Sequence, residues 1–436
     1  MPTALSHSGQ IYFPMSSMVC SHDFTSPYTA GAEGPSTCGS GSMGNSMGGK
    51  CSSMGGCTEC ALKHKPCKAS VMGRWARLQT SGRSPSPRSG HDVTVIGNKA
   101  YLFGGCGGDE DQITCLNDMY VFDLQLHRWE RALHKGHPVH ARASFGMCQG
   151  PTPSTVIVAG GTGVEMDSLR ADVVEYNTRT RTWTNVLSDT DETPCKFYGQ
   201  SVCTYEDNLL LFGGSTGLHY SNDLYEYNLC TNRWRKLATT GRKPSPRYKH
   251  QAVTVGDKMY VIGGGCFKPE QSSIDLYCLD LKTLLWEEVQ MSGELPKARV
   301  AHSCSFDPVE GDIYLWGGFT GELSRLSDFY VYSCKTATWR KLPAEAGDTA
   351  PPARAFHSAV FHEGSLYLFS GANGDIRYND VWRYQVRGSP PTLAIMAAKI
   401  LREETEQWGP DSGVHMQIPE ELIQGVLHMN QYAEIL

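Results

Sequence analysis

One short pattern, repeated six times, constrains this chain more than any other feature. An apolar run closes on a glycine doublet at Gly104-Gly105, Gly160-Gly161, Gly213-Gly214, Gly263-Gly264 and Gly317-Gly318, and a weakened copy, Ser370-Gly371, follows. The interval is 50–56 residues. One doublet means little, but six at one period are the mark of a repeat array. A basic residue precedes each apolar run, at Arg88, Arg142, Lys196, Arg247, Arg299 and Arg354. An aspartate follows each doublet, at Asp118, Asp172, Asp223, Asp275, Asp328 and Asp380. An alternating segment such as "DMYVFDL" or "DLYEYNL" comes next, and then a tryptophan, at Trp129, Trp183, Trp234, Trp286 and Trp339. Period-two alternation between turn residues reads as short strands, four to each unit. A lone four-stranded sheet leaves a face exposed, whereas a ring of such sheets buries both.

The ends of the array say how the ring closes. The sixth unit runs to "NDVWRYQV" and lacks a tryptophan strand, while an unmatched one, "RWARLQT", stands at Trp75 ahead of the first unit. The Trp75 strand is therefore expected to complete the last blade, removing the open edges of a linear array.

Composition narrows the functional classes. The formal charge of −6 makes no global case for nucleic acid. No run of 18 apolar residues exists, and residues 1–30 lack the charged start and apolar stretch of a signal peptide. The chain is expected in the cytoplasm and nucleus, away from membranes. Of its 16 cysteines, six fall in the first 70 residues. In a reducing compartment scattered cysteines are mostly small buried apolar residues, so no structural disulfide is expected.

Across residues 74–387 the glycine doublets, spaced tryptophans and alternating tyrosines resemble the kelch family. "RYKH", with "FYGQ" one blade earlier, looks most like the kelch domain-containing protein 10 group. The implied fold is all-β: a six-bladed kelch β-propeller over 71–387, with a disordered tail over 1–70 and a short helical box over 388–436. The fold alone says little of function, since kelch propellers bind, scaffold and occasionally catalyse.

The stretch after the last blade is more informative. "SPPTLAIMAAKILREETEQ" reads as a helix with Ser389 as N-cap and Pro390 in the first turn. Leu393, Met396, Ala397, Ile400 and Leu401 form one apolar stripe. A second helix is read in "IPEELIQGVLHM". Together they resemble the bipartite box of E3 ubiquitin-ligase substrate receptors. That resemblance implies an elongin B/C contact through Thr392, Leu393, Ala397 and Leu401, and a cullin-2 contact through Ile418, Pro419, Leu422 and Val426. Ala397 replaces the usual cysteine, while the second half fits throughout. The competing reading is a capping helix on the propeller's underside. A closed ring has no end that needs a cap, which favours a helix-in-groove ligand for a partner.

In kelch rings the loops joining second to third strand and fourth to first crowd one mouth of the channel. The periodic arginines and aspartates lie in those loops and are expected to pair, because a buried unpaired arginine is costly. Residues that break the period are better ligand candidates. Arg325 and Arg377 are charged where the other units carry Cys115, Leu169, Tyr220 and Ser272. With Tyr198, Tyr220, Tyr248 and Lys249 they make the candidate substrate-binding set. Guanidinium forks match carboxylates, and the resemblance to cullin-2 kelch receptors implies capture of a client's C-terminal carboxylate, a C-degron. A kelch scaffold without a ligase role is the alternative. An oxidase is a third reading, with copper on histidines and tyrosines. His91, His250, His302 and His357 recur three residues after the arginines, however, which favours a structural role over a single metal centre. The reading is a non-catalytic adaptor, with no cofactor expected. In the tail, Cys57, Cys60, His64 and Cys67 have zinc-ligand types in tighter spacing than common modules. Free thiols are the other reading, and no metal is assigned there.

Overall fold

The computed structural model describes residues 73–387, apart from 109–112, 164–168, 187–193, 195, 270 and 344–349. Six sheets make six blades. Their innermost strands are Asp92–Ile96, Gly146–Gln149, Ser201–Tyr205, Gln251–Val255, Ser303–Asp307 and Ser358–His362, for blades 1 to 6 in order. Each inner strand touches the next, and the last touches the first, so the array is a closed ring. Each blade then runs outward through antiparallel strands, blade 1 through Lys99–Phe103, Met119–Asp123 and Arg128–Ala132.

Blade 6 is completed from the other end of the chain. Strand Trp75–Arg77 pairs antiparallel with Arg377–Gln385, with Trp75 opposite Tyr384 and Arg77 opposite Trp382. Trp75 is 7% exposed and packs on Trp316 and Phe329 of blade 5. The expected closure is therefore the observed one. The periodic tryptophans explain themselves in the same way. Apolar clusters fill each of the six junctions between blades, and each holds an outer-strand tryptophan, such as Trp129 between blades 6 and 1 and Trp183 between blades 1 and 2.

Three further devices tie blade to blade. At the throat, Gly90, Ser144, Gly199, Lys249, Ala301 and Phe356 form a cyclic relay. Each N–H donates to the carbonyl of its counterpart in the preceding blade over 2.7–3.1 Å, and Gly90 closes the circle onto Phe356. All six are left-handed, with φ between 52° and 67°. The second device uses the glycine doublets. The second glycine donates to the carbonyl at the arginine position of the next blade, as Gly105 does to Arg142 and Gly371 to Arg88. A Cβ on Gly264 would lie 2.4 Å from the His250 side chain, so bulk is excluded there. The third was not anticipated from the sequence. The chain leaving one blade's outer strand adds a two-residue parallel strand to the next blade, at Ser81–Gly82, Lys135–Gly136, Thr240–Gly241 and Ser292–Gly293. A glycine seven residues after Trp75, Trp129, Trp234 and Trp286 is its signature.

Removing residues 1–82 deletes the outer strand of blade 6 and exposes a tryptophan-sized wedge, a change that costs about 3–5 kcal/mol for the aromatic alone. Thermal unfolding of that truncation is expected well below that of a chain lacking only residues 1–70. Indistinguishable melting would contradict this order of closure.

Candidate functional site

The site is built on the arginine positions. Arg88, Arg142, Arg247, Arg299 and Arg354 are at most 1% exposed. Each grips its aspartate with both terminal nitrogens, as Arg142 does Asp172 at 2.9 and 2.7 Å. Each also donates from Nη1 to the carbonyl of the first doublet residue and from Nε to a carbonyl two residues back, so every nitrogen of the planar fork is bonded. These five pairs are structural clamps that join the two loops of each blade at the mouth.

Blade 3 departs from the pattern and corrects the sequence reading. Lys196 is exposed and does not occupy the clamp position. Phe197 does: its carbonyl accepts from Gly161 as Arg247's accepts from Gly214. Asp223 pairs instead with Lys236 at 2.9 Å, with Lys243 at 3.9 Å. The register is consequently one residue later here, and Tyr198, not Phe197, corresponds to Tyr248.

The periodic histidines are blade joints. His91, His250, His302 and His357 are 1–6% exposed, and the carbonyls of Phe369, Phe212, Ile262 and Trp316 in the preceding blade face their rings. Burial first, and then the neighbouring arginine, pushes His91 and His302 down to about 3, so these rings are neutral. Gln200 stands at the corresponding position of blade 3, and its amide donates to the Ala159 carbonyl of blade 2 at 2.8 Å.

At the mouth, residues that break the period gather into one surface. Tyr198 and Tyr248 are 4% and 2% exposed and meet edge to face at 5.9 Å. They are the base of the tyrosine arc, and partly exposed Tyr220 meets Tyr248 at a tilt of 38°, ring centres 5.2 Å apart. The Tyr220 hydroxyl accepts from the Phe267 N–H. From Phe267 the aromatic contact continues to Phe319 and on to Phe356, at 5.7 Å each. Arg325 lies over Phe319 at 4.7 Å and Lys249 over Phe356 at 5.3 Å. The tyrosine and arginine arcs are thus one aromatic floor carrying two cations. A cavity of about 600 Å³ adjoins it, lined by Leu218, Tyr220, Cys266 and Lys268 among others.

The sequence reading missed Phe267, Phe319 and Phe356. Phe319 follows the fifth doublet where the other units carry Cys106, Thr162, Ser215, Gly265 and Ala372, so a comparison at that position exposes it. Arg325 and Arg377 do occupy equivalent positions, opposite Phe319 and Ala372. Burial lowers the Arg325 pKa, and the charge that opposes this is Asp375 of the neighbouring loop. The arginine arc therefore includes a carboxylate, which sequence counting did not place there. Thr392, Leu393, Ala397, Leu401, Ile418, Pro419, Leu422 and Val426 lie outside the described residues, as do Cys57, Cys60, His64 and Cys67.

The channel, which Lys249 and Phe356 of the floor also line, encloses about 210 Å³, with Asp92, the periodic histidines and several serines from all six blades around it. Asp92 accepts from the Val93 and Met147 N–H groups and the Ser358 hydroxyl. Burial raises its pKa to about 6 despite those bonds. Lys249, partly open to the channel, is lowered to about 8, chiefly by desolvation, with Asp92 pulling the other way. A depressed lysine costs stability while charged, fully below the folded pKa and no longer above the unfolded one. Lys249→Met keeps the Cβ and the left-handed strain. It is expected to stabilise the fold by on the order of 1 kcal/mol at pH 7, the gain shrinking as pH rises from about 8 towards about 10.5. Urea unfolding across that range checks this; a gain that does not shrink with pH would contradict it.

The comparisons with known proteins agree with this architecture. Residues 156–387 match the family described as Attractin/LZTR1 beta-propeller, and residues 70–214 match the KLHDC2/KLHL20/DRC7 Kelch-repeats domain. Kelch domain-containing protein 10 of Homo sapiens is 29% identical over 312 residues, 68% of each chain. That of Xenopus laevis is 29% identical over 311 residues, 67% of this chain and 73% of its own. The leucine-zipper-like transcriptional regulator 1 homolog of Drosophila melanogaster is 28% identical over 213 residues, 48% of this chain and 21% of its own. The closed six-bladed ring, its clamps and these matches together place the chain in the kelch β-propeller family, among relatives of kelch domain-containing protein 10.

Proposed function

We propose that this chain is the substrate-recognition subunit of a cullin-2, elongin B/C E3 ubiquitin ligase, and that the propeller mouth binds the client. The observation that carries the reading is the ordered pair of boxes after the last blade, Thr392-Leu393…Ala397…Leu401 and then Ile418-Pro419…Leu422…Val426. The mouth supports it from the other side. An aromatic floor with two cations and an adjoining cavity suits an extended peptide whose last residues pack on rings while its carboxylate meets Arg325 or Lys249. Nothing in this role asks the chain for catalysis, and it places the protein in the cytoplasm and nucleus.

Leu393 is the anchor expected to fill an apolar pocket on elongin, where truncation of such a residue costs about 2–4 kcal/mol. Elongins are expected to co-purify with the wild-type chain and to be lost with Leu393→Asp. Equal recovery would remove the ligase assignment. For the mouth, a peptide selected from a library with randomised C-termini is expected to bind about tenfold to a hundredfold more weakly to Arg325→Met, the loss of roughly one charged hydrogen bond. Amidating the same peptide should weaken it to a similar degree. If free acid and amide bind alike, the mouth reads an internal sequence.

A further inference from the structure

Blade 1 carries cysteines at two mouth positions, 106 and 115, where no other blade has one at the equivalent place. Strands Cys106–Gly107 and Thr114–Cys115 pair antiparallel with Cys106 opposite Cys115, and the two sulfurs are 2.9 Å apart. Cys106 commits its own N–H and carbonyl to Ser89, at 2.8 and 3.0 Å. The pair with Cys115 is therefore a non-hydrogen-bonded one, in which Cα atoms approach to about 4.5 Å, within the span a disulfide bridges. The corresponding pairs in other blades are Ser215 with Tyr220 and Phe319 with Arg325. The repeat does not ask for sulfur here.

The surroundings suit chemistry better than packing. Cys106 is 3% exposed, but Cys115 is only half-buried, so an oxidant can reach one member of the pair. The hydrogen bond from Cys106 lowers the Cys115 pKa against the effect of burial. Lys249 lies within electrostatic range of Cys106 and favours negative charge nearby. The thiols of Cys148, Cys203 and Cys304 are pushed up by burial instead, which makes them inert.

We propose that Cys106 and Cys115 are a reversible oxidation site, closing to a disulfide under hydrogen peroxide and reopening with small thiols such as glutathione. The Cys115 thiolate attacks one peroxide oxygen, the O–O bond breaks, and the departing hydroxide takes a proton as water. The sulfenic acid so formed is attacked by the Cys106 sulfur. The S–S bond forms, the S–O bond breaks, and the second water leaves with the Cys106 proton. Two thiols are oxidised by two electrons in total and one peroxide is reduced. Closure replaces two hydrogen-bonding thiols on the mouth with one apolar bridge and ties the arms of the blade 1 loop together.

The test uses the full-length chain, treated with hydrogen peroxide, trapped with an alkylating agent, digested and weighed by mass spectrometry. The peptides holding Cys106 and Cys115 are expected to appear joined, and to separate again after glutathione. In Cys106→Ser the resolving thiol is gone, so capture of a Cys115 sulfenic acid by dimedone should rise about tenfold over wild type. Thermal unfolding of the variant separates that effect from misfolding. Both cysteines alkylated and unjoined at every peroxide concentration would overturn the proposal, as would equal dimedone capture in wild type and Cys106→Ser.

Discussion

The circle of six hydrogen bonds at the throat is the constraint that sets the direction of every blade of this molecule. It runs Gly90, Ser144, Gly199, Lys249, Ala301, Phe356 and back to Gly90, each residue left-handed. Four of the six are not glycine, and each pays about 1–2 kcal/mol for that conformation. The bond each makes returns about 1 kcal/mol, so the relay does not hold the ring by itself. It persists because the wedges of aromatic side chains between blades hold every member in place. What the relay supplies is direction. A left-handed residue turns the chain sharply between the arginine clamp and the inner strand, and it sends the side chains of Lys249 and Phe356 to the channel and mouth, where their ammonium and ring meet at 5.3 Å.

The clamps and joints act one layer further out. A guanidinium with every nitrogen bonded is a rigid crosslink between two loops, whereas removing one partner would leave a buried charge at a cost of about 3–5 kcal/mol. Blade 3 shows what happens where the clamp is absent. Phe197 keeps the backbone bond to Gly161 and fills the space with a ring, while Asp223 turns to Lys236 and Lys243. The backbone contact between blades is thus conserved around the ring, while the side-chain clamp can be exchanged. The exchange falls beside Tyr198, at the start of the aromatic floor.

That floor is where the repeat stops being a repeat. Five blades can carry the same arginine because each one needs the same crosslink, but a ligand bound as proposed would meet the mouth only once. Phe267, Phe319, Phe356, Arg325 and Lys249 occur in blades 4, 5 and 6 only, and their contacts run unbroken from Tyr198 to Arg325. A peptide's flat apolar side chains and a single anionic end suit such a surface. Cys115 of blade 1 stands at the position equivalent to Tyr220 and Arg325, and Cys106 at that of Ser215 and Phe319, so the proposed disulfide would form at the same mouth.

The sequence by itself determined the number of blades, the strand pattern and the closure by Trp75, because each is written as a period or as a break in one. It also marked Arg325, Arg377 and the tyrosines as residues outside the period. Clamp pairing was legible for the same reason, with one slip at Lys196, where "CKFYGQ" offers a basic residue one place before the position that packing assigns. Tertiary structure alone decided which of these meet. Phe267 and Phe319 lie in different blades, and no local pattern says that their rings touch. Asp375 is unremarkable in sequence and bears on Arg325 only because two adjacent blades bring their loops together. The buried carboxylate of Asp92 and the depressed ammonium of Lys249 arise because six inner strands together bury both groups along one channel, a property that no single repeat possesses.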